Sequence, residues 1–234
     1  MSAPFKFDIK QPDSIFFAVY KKYFKRPLDF LLALLLILAL SPVYLAVYVL
    51  VRLNMGSPVI FRQARPGLNN KIFYILKFRS MNSRRDSKGE LLPDAERLTK
   101  LGAFLRKTSL DEIPQFFCVL RGDMSFIGPR PLLPQYLAYY TPEESRRSEV
   151  RPGITGLAQI NGRNCISWDE KLAYDVEYVD NVTFLGDLKI ALKTVVKTFA
   201  SSGVRVGVEE SLNVVRSRRA AGERDSESSS GKKE

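Results

Sequence analysis

The fold of this chain is decided by residues 25–53, which read KRPLDFLLALLLILALSPVYLAVYVLVRL. No residue from Phe30 to Val51 is charged, and a helix of that length is enough to cross about 30 Å of hydrocarbon. A membrane-spanning helix is therefore one interpretation. Ser41-Pro42 near the middle opposes it, because proline removes a backbone donor and disfavours helical geometry at the preceding residue. The sequence predicts a helix that is broken at this dipeptide.

Basic residues flank the apolar run on both sides. They are Lys21, Lys22, Lys25 and Arg26 before it, and Arg52, Arg62, Arg65 and Lys71 after it. Because cytoplasmic loops carry an excess of Lys and Arg, both ends prefer the same side of a membrane. A re-entrant helix over residues 25–53, which enters and leaves one leaflet, satisfies both the break and the flanks. A cleaved signal peptide is a further alternative, since a basic stretch followed by an apolar run opens such peptides too.

The membrane boundary has its own charged residues. Asp29 follows Arg26 by three positions, and we expect the two side chains to form a charge-assisted pair that fixes the depth of entry. With Ser41 and Pro42, they are the residues predicted to define the membrane re-entry.

Composition narrows the chemistry. The 36 Lys and Arg residues against 25 Asp and Glu give a formal charge of +11, which indicates an anionic partner. The absence of histidine excludes Ser-His-Asp and Cys-His nucleophiles and zinc sites that need His ligands. Two cysteines without a CxxC pair exclude a disulfide framework and fit a reducing compartment. Carboxylates, Lys and Arg must carry any reaction.

The rest of the chain predicts a mostly helical α+β domain with a small β-hairpin. Two runs, 59–61 and 72–76, are β-branched and aromatic, and turn-forming residues separate them. A polar loop over 84–96 precedes a helix through Leu98, Leu101 and Leu105. A second short helix carries Ile113, Phe116, Phe117 and Leu120 on one face and ends before Gly122.

The expected organisation has four parts. Residues 1–24 are an N-terminal extension, 25–53 the re-entrant membrane helix, 54–203 a cytoplasmic catalytic domain, and 204–234 a tail that we expect to be disordered from about residue 217. Within the catalytic domain, an apolar stripe from Leu188 to Phe199 accompanies lysines spaced by four. This pattern fits an amphipathic helix on an anionic membrane surface and equally a helix packed on the core with a solvated lysine face.

Asp111 and Glu112 are the candidate catalytic pair. Ser109 and Glu112 match the Ser-x-x-Glu capping box, and acids favour the first turn of a helix, so a purely structural role is the competing interpretation. Basic and glycine-rich turns around the pair favour a phosphate-binding site, because rigid turns present guanidinium groups to phosphate oxygens. These turns include Lys77-Phe78-Arg79, Arg106-Lys107, Gly128-Pro129-Arg130-Pro131, Arg151-Pro152-Gly153 and Asn161-Gly162-Arg163-Asn164.

Eight motifs in order resemble the bacterial sugar transferases, the monotopic phosphoglycosyl transferases. They are Lys25 to Asp29, Ser41-Pro42, Gln63 to Gly67, Lys77 to Met81, Ser109 to Glu112, Gly122 to Ser125, Gly128 to Pro131 and Arg151 to Gly156. The resemblance covers roughly residues 25–200, and the length is similar to that of the small, single-domain members. The first two dozen residues and the charged tail fall outside the family's pattern.

The resemblance implies a reaction. Such an enzyme moves a sugar phosphate from a UDP-sugar to undecaprenyl phosphate, releases UMP, and serves the first membrane step of glycoconjugate synthesis. Asp111 is then the nucleophile, an aspartyl-phosphosugar is the intermediate, and Glu112 assists proton movement or orients the acceptor. Mg²⁺ is the implied cofactor, with Asp111 as its ligand.

The same resemblance assigns substrate contacts and a location. The expected substrate-binding residues are Lys77, Arg79, Arg106, Arg130, Arg163 and Asp175, with Asp187 as a weaker candidate that, like Asp175, could simply cap a helix. We expect the bacterial inner membrane, with the catalytic domain on its cytoplasmic face and anionic lipids as partners. The oligomeric state has no signature in the sequence, and a homodimer is one alternative.

Two other functions compete. A catalytically silent membrane-anchored scaffold of polysaccharide assembly would keep the fold without the chemistry, and the intact Asp111-Glu112 pair opposes it. Nucleic-acid binding is suggested only by the positive charge. The long apolar run, and the lack of interleaved basic and aromatic clusters, oppose that function.

Overall fold

The computed structural model describes residues 19–162, 166–200 and 211–217. The predicted N-terminal extension and the predicted disorder beyond residue 217 therefore fall almost wholly outside the described residues, and so does Arg163. The described part is mostly helical with two small sheets, which confirms the predicted balance of secondary structure.

The apolar segment forms two helices at an angle. After one π-helical turn, Tyr20–Phe24, helix α1 covers Lys25–Ala39 and helix α2 covers Ser41–Met55. The axes bend by 63° at the break, and Pro42 lies in the first turn of α2, where its missing N–H costs no helical hydrogen bond. The predicted break at Ser41-Pro42 is confirmed. Among the described residues, no single helix is long and apolar enough to cross a membrane, whereas this bent pair meets that test on length and composition.

The predicted β-hairpin is present. Strand β1, Ile60–Pro66, pairs antiparallel with β2, Ile72–Phe78, in a register that runs from Ile60 opposite Phe78 to Pro66 opposite Ile72. The turn contains a 3-10 segment in which Asn69 and Asn70 have φ of 52° and 61°, values that Asn tolerates better than most residues. Lys77 is the second-last residue of β2.

The helices around the Asp111-Glu112 pair are shorter than the sequence predicts. Helix α3 covers Asp94–Arg97 and α4 covers Lys100–Lys107, and Leu98 between them pairs with Met81 in an isolated β-bridge. The predicted continuous helix through Leu98 is therefore wrong. A 3-10 turn, Leu110–Glu112, precedes α5, Gln115–Arg121, which ends at Gly122 as predicted.

A second sheet was not predicted. Strand β3, Ser125–Ile127, pairs in parallel with β4, Gly153–Thr155. Each strand has three residues, too few for an alternating pattern to be legible in the sequence. Glycine allows the close approach, because a Cβ on Gly128 would lie 2.5 Å from the Arg151 carbonyl oxygen.

The remaining elements build the C-terminal half. They are a 3-10 segment at Pro134–Tyr139, α6 at Pro142–Ser145, a 3-10 segment at Arg146–Glu149, α7 at Leu157–Asn161, α8 at Trp168–Asp180 and α9 at Phe184–Ala200. A short helical segment at 212–217 follows. Its Leu212 is fully buried against Tyr136 and Leu172, so this part of the predicted tail packs on the domain.

Both helices of the bent pair pack on the catalytic domain along one side only. Ala33 of α1 is fully buried against β2 and α5, and Val51 of α2 is fully buried against Phe78 and Leu105. The opposite sides are exposed and apolar, with Leu35 62% and Leu53 80% accessible. The pair is thus a part of the core and also a large apolar surface.

The membrane-boundary residues bind the domain instead of each other. Arg26 donates to the carbonyl oxygens of Val119 and Leu120, both at 2.8 Å, and Asp29 accepts the Phe126 N–H at 3.1 Å. No ion pair joins Arg26 to Asp29 in the described part of the chain, so the predicted pair is wrong. The reason is tertiary: the C-terminal end of α5 presents its carbonyl oxygens to Arg26.

Helix α9 exposes its apolar stripe. Ile190 is fully buried, whereas Leu188, Leu192, Val195 and Val196 are 44% to 66% accessible. The described part of the stripe therefore does not pack on the core, whereas Ile190 on another face of α9 does. An amphipathic helix whose apolar side faces outward is the arrangement that interfacial helices share.

Candidate active site

Asp111 lies in a tight turn between α4 and α5. Ser109 adopts left-handed geometry, with φ 57° and ψ 17°, and the chain then makes the single 3-10 turn that carries Asp111 and Glu112. Ser109 makes no capping hydrogen bond, so the capping box is absent and the structural interpretation of this motif is wrong. A non-glycine residue in this conformation costs of order 1–3 kcal/mol, and such strain clusters at functional sites.

Glu112 is held by two cations. Its Oε1 accepts from Lys77 Nζ at 2.6 Å and from Arg130 Nη2 at 2.8 Å. Burial raises the pKa of Glu112, but the charges of Arg130 and Lys77 outweigh burial and lower the pKa to about 2. Glu112 is therefore an anion that positions Lys77 and Arg130, and it is too weak a base to accept a proton near neutral pH.

The carboxylate of Asp111 is buried and, within the described part of the chain, has no side-chain hydrogen-bond donor. Its residue is 7% accessible, and no side chain among the described residues donates a hydrogen bond to its carboxylate. Burial raises the pKa of Asp111, Lys77 and Arg106 oppose that rise, and Glu112 adds to it. A desolvated carboxylate near cations, with a backbone hydrogen bond and no side-chain donor, suits a nucleophile.

Arg106 faces the same turn from α4. Its Nε donates to Ser80 Oγ at 2.9 Å, and its side chain is exposed. Gly102, one turn earlier on the helix, lets α4 approach the 79–81 segment, because a Cβ there would lie 1.8 Å from the Ser80 carbonyl oxygen. Arg106 and Lys77 are thus two cations on different elements that act on one carboxylate.

Arg79 points away from the pair. Its Nη1 donates to the carbonyl oxygens of Met55 at 3.2 Å and Ser57 at 3.3 Å, and its Nε to that of Met81 at 2.9 Å. These bonds satisfy carbonyls at the C-terminal end of α2. Arg79 therefore links the hairpin to the end of the bent helix pair through hydrogen bonds.

Asp175 and Asp187 are also engaged within the protein. Asp175 Oδ2 accepts from Arg147 Nη2 at 2.6 Å, and both side chains are buried. Asp187 accepts from Lys25 Nζ at 2.5 Å, from Tyr20 at 2.8 Å and from Tyr178 at 2.8 Å. Neither carboxylate caps a helix in the way the sequence allowed; each joins distant segments of the fold.

Of the predicted site residues, the structure thus brings five together around one turn. They are Asp111, Glu112, Lys77, Arg106 and Arg130. Comparison with known proteins places the chain in a family. Residues 20–201 match the family described as Bacterial sugar transferase. This chain belongs to the bacterial sugar transferase family.

Individual relatives of this bacterial sugar transferase agree with the family match. It is 54% identical over 181 residues to the uncharacterized sugar transferase EpsL of Bacillus subtilis, covering 77% of this chain and 90% of that protein. It is 38% identical over 196 residues to the exopolysaccharide production protein ExoY of Sinorhizobium fredii, covering 76% and 87%. It is 39% identical over 186 residues to a UDP-glucose:undecaprenyl-phosphate glucose-1-phosphate transferase of Caulobacter vibrioides, covering 73% and 68%.

The transferase has two further cations that sequence reasoning missed. Arg65 donates from Nη1 to the Pro131 carbonyl at 3.2 Å and from Nη2 to Gln63 Oε1 at 2.7 Å. Burial, and then the charge of Arg130, lower the pKa of the Arg65 guanidinium, which marks a site with excess positive charge. Arg65 lies within the Gln63 to Gly67 motif, which could have indicated it as a candidate site residue.

Arg147 is the other missed residue. Besides binding Asp175, its Nη2 donates to the Arg130 carbonyl oxygen at 2.7 Å. The buried ion pair therefore fixes the backbone of the loop that presents Arg130 to Glu112. No local pattern indicates this, because Arg147 lies in a run of polar residues that resembles a solvated surface.

Proposed function

We propose that this chain transfers a sugar phosphate from a UDP-sugar to undecaprenyl phosphate in the synthesis of a bacterial glycoconjugate such as an exopolysaccharide. The observation that carries the proposal is the buried carboxylate of Asp111, which has no side-chain hydrogen-bond donor among the described residues and feels the charges of Lys77 and Arg106. Relatives named as UDP-glucose:undecaprenyl-phosphate glucose-1-phosphate transferases support the substrate classes. A scaffold without catalysis has no need for a desolvated carboxylate beside a strained residue.

The reaction proceeds in two displacements at one phosphorus atom. An Asp111 carboxylate oxygen forms a bond to the β-phosphorus of the UDP-sugar, the bond from that phosphorus to the bridging oxygen breaks, and UMP leaves with the electron pair. A phosphate oxygen of the acceptor then attacks the same phosphorus and expels Asp111 as carboxylate. The products are UMP and a polyprenyl diphosphate sugar, and Asp111 is regenerated.

The cations of the site have separate tasks. Lys77 and Arg106 act on the charge of Asp111, and they lie where the diphosphate must be bound for attack. Arg130 binds Glu112 in this turn, and the charge of Arg130 acts on Arg65 in turn. Both provide guanidinium groups, which bind phosphate oxygens in a bidentate manner. Arg163 is proposed to contact the donor as well, on the resemblance alone.

Mg²⁺ fits the donor set only together with substrate. Among the described residues, no group of three His, Cys, Asp or Glu side chains is placed to hold a metal ion. Mg²⁺ is commonly bound by one or two carboxylates plus substrate phosphates and water, and Asp111 is the available carboxylate, because Glu112 is occupied by two cations. Bound Mg²⁺ supplies charge neutralisation at the diphosphate.

The proposed location is the cytoplasmic face of the bacterial inner membrane. The bent pair of α1 and α2 carries basic flanks at both ends and an exposed apolar side, which supports re-entry into one leaflet. The exposed stripe of α9, with Lys189, Lys193 and Lys197 on the same helix, supports contact with anionic headgroups. A monotopic arrangement sets Asp111 at the depth of the acceptor's phosphate.

The test is UMP release by the purified protein with Mg²⁺, a panel of UDP-sugars and undecaprenyl phosphate. Because the donor half-reaction needs no acceptor, we expect a stoichiometric burst of UMP from the correct UDP-sugar alone, with a matching mass increase of the intact protein. Asp111→Asn lowers turnover by roughly 10³-fold or more, as expected for loss of a nucleophile. Normal turnover in that variant contradicts the assignment, and absence of UMP with every donor favours the scaffold.

A further inference from the structure

A short helical segment at residues 211–217 follows the part of the chain that the family match covers. We call it the C-terminal strap. Its Leu212 is fully buried in an apolar cluster with Tyr136 and Leu172. Val214, two residues further on, is 43% accessible, so the strap turns one side toward the domain and another toward solvent. A side chain from outside the family match thus completes a cluster inside the domain.

Charge also holds the strap in place. Arg216 Nη2 donates to Glu144 Oε1, and to Asp169 Oδ1 at 3.1 Å. Glu144 lies on α6 and Asp169 on α8, so one guanidinium of the strap bridges two elements of the domain. Glu144 is itself fixed, because its Oε2 accepts the Thr141 N–H at 2.8 Å in the capping box of α6. The strap is therefore docked by a buried apolar contact and by a partly buried ion pair.

The cluster that the strap completes includes the residues that follow Arg130. Leu132 and Leu133 both pack against it, and Leu132 comes two positions after Arg130 in the chain. Between them, the Pro131 carbonyl oxygen accepts a hydrogen bond from Arg65 Nη1 at 3.2 Å. The strap thus helps to anchor the chain directly after one of the guanidinium groups of the site.

A second path runs from the cluster to the candidate active site. Tyr140 packs against the cluster, and its hydroxyl oxygen accepts from Arg147 Nη1 at 3.4 Å. Arg147 Nη2 in turn donates to the Arg130 carbonyl oxygen at 2.7 Å, and Arg130 Nη2 donates to Glu112 Oε1 at 2.8 Å. Packed side chains and hydrogen bonds of this kind can carry energetic coupling between separate sites. A continuous series of contacts therefore joins the strap to the residue beside Asp111.

We propose that the docked strap is a positioning element of the donor site: it holds the Arg130 loop, residues 128–131, in the geometry that binds the diphosphate of the UDP-sugar. This role rests on the proposed function, in which Arg130 contacts that diphosphate. Leu212 and Arg216 touch no substrate and act through the loop. When the strap is released, the loop adopts the binding geometry for only part of the time, and the apparent donor affinity falls by that fraction. A strap that merely adds stability leaves the donor affinity unchanged.

Donor kinetics test the strap with matched substitutions. Leu212→Ala and Arg216→Ala each loosen it, Val214→Ala shortens an exposed side chain of the same segment, and Arg216→Lys keeps a cation for Glu144. In single-turnover UMP release without acceptor, we expect the first two variants to need about tenfold more donor for half-saturation, the result of a loop that is binding-competent about a tenth of the time. The rate at saturating donor stays close to the parent rate. Val214→Ala keeps the parent half-saturation, and Arg216→Lys recovers most of it.

The amplitude of the UMP burst separates this effect from damage to the fold. The amplitude counts active molecules, so unfolding lowers it and leaves the half-saturating donor concentration unchanged. A lower amplitude with the parent half-saturation, in both Leu212→Ala and Arg216→Ala, means that the strap only stabilises the fold and overturns the proposal. Parent values of both quantities overturn it as well.

Reciprocity gives a second test that needs no turnover. Whatever the docked strap adds to donor affinity, a bound donor must add to docking of the strap. With UDP as the probe, amide hydrogen exchange of the full chain in phospholipid nanodiscs should therefore slow in residues 211–217 as well as in peptides that span Arg130. Uridine, which lacks the diphosphate, is the matched control and should leave exchange of the strap at its parent rate. Protection around Arg130 without protection of the strap, or an equal effect of uridine, overturns the proposal.

The positioning role and the proposed function fail in different ways. If the parent chain releases no UMP with any donor, the proposed function is wrong, and slower or unchanged exchange of the strap with UDP still decides whether the strap is coupled to the site. If the parent chain releases UMP but neither the variants nor UDP reveal coupling, only the positioning role is wrong.

Discussion

Glu112 acts on its neighbour Asp111 through charge. Its carboxylate is ionised, because Lys77 and Arg130 hold its pKa at about 2, and its negative charge adds to the rise that burial gives the pKa of Asp111. The proposed attack by Asp111 requires the carboxylate as an anion, so we expect the donor half-reaction to be lost as the pH falls through the pKa of Asp111. The value of that pKa thus depends on a residue that itself transfers no proton.

Replacing this single charge gives a signed prediction. Glu112→Gln removes the negative neighbour and frees Lys77 to act on Asp111, and both changes lower the pKa of Asp111. The acid limb of single-turnover UMP release should therefore move to lower pH, even though the plateau rate falls with the loss of positioning. Glu96→Gln, at an exposed site on α3, is the matched control and keeps the parent profile. A limb that moves to higher pH contradicts this electrostatic account.

Helix α8 carries two aspartates whose ion pairs differ in burial. Asp175 pairs with Arg147 in the interior, where both side chains are about 5% accessible, and Asp180 pairs with Arg146 on the surface. Removing one partner of a buried pair leaves an uncompensated charge, whereas an exposed pair is screened by water. The two positions therefore allow a comparison within one helix.

We predict that Asp175→Asn lowers the free energy of unfolding by about 3–5 kcal/mol and that Asp180→Asn changes it little. Since Arg147 also binds the Arg130 carbonyl, Asp175→Asn should raise the donor KM in addition. Denaturant unfolding in detergent and donor kinetics measure the two effects. Equal stability of the two variants would contradict the stabilising role of the buried pair, and an unchanged donor KM in Asp175→Asn would contradict its positioning role.

Residues 211–217, which lie outside the family match, pack against the C-terminal half of the domain. Leu212 is fully buried against Tyr136 and Leu172, and Arg216 binds Glu144 and Asp169. The family match ends at residue 201, so this contact involves residues beyond the matched range. It covers the Pro134–Tyr139 segment, which follows the loop that carries Arg130.

This contact predicts a long-range effect of one buried side chain. Leu212→Asp places a charge in an apolar site and should release the segment, so that amide hydrogen exchange in Pro134–Tyr139 becomes faster. Val214→Asp makes the same change two residues on, where the side chain is 43% accessible, and should leave exchange at the parent rate. Similar exchange in both variants argues against a closing role for residues 211–217.

Membrane topology is the other property of the whole chain. Cysteines introduced as Lys22→Cys and Arg62→Cys lie on either side of the apolar segment, and re-entry predicts that both react with an impermeant maleimide from the cytoplasmic side only. The parent chain, with its own two cysteines, gives the background. Reaction of one flank from the periplasm would establish a full span.

Much of this protein can be predicted because local patterns determine it. The break at Ser41-Pro42, the hairpin and the end of α5 at Gly122 follow from proline geometry, alternating apolar runs and glycine at a helix end. Asp111 and Glu112 are found by their motif and their basic surroundings. The sequence does not predict the separate roles of the two acids. The pKa of each depends on burial and on cations from β2, α4 and the Arg130 loop.

The sequence alone determined the bent apolar segment, the balance of helix and sheet, the family and the residues from which a phosphate site is built, because each depends on side chains close together along the chain. Tertiary structure decided which cations reach Glu112, that Arg26 and Asp29 bind the domain and not each other, and that Asp175 pairs with Arg147. Those outcomes depend on contacts between residues that are 18 or more positions apart. Hydrogen bonds, burial and electrostatic fields act through space and leave no periodic signal in the chain.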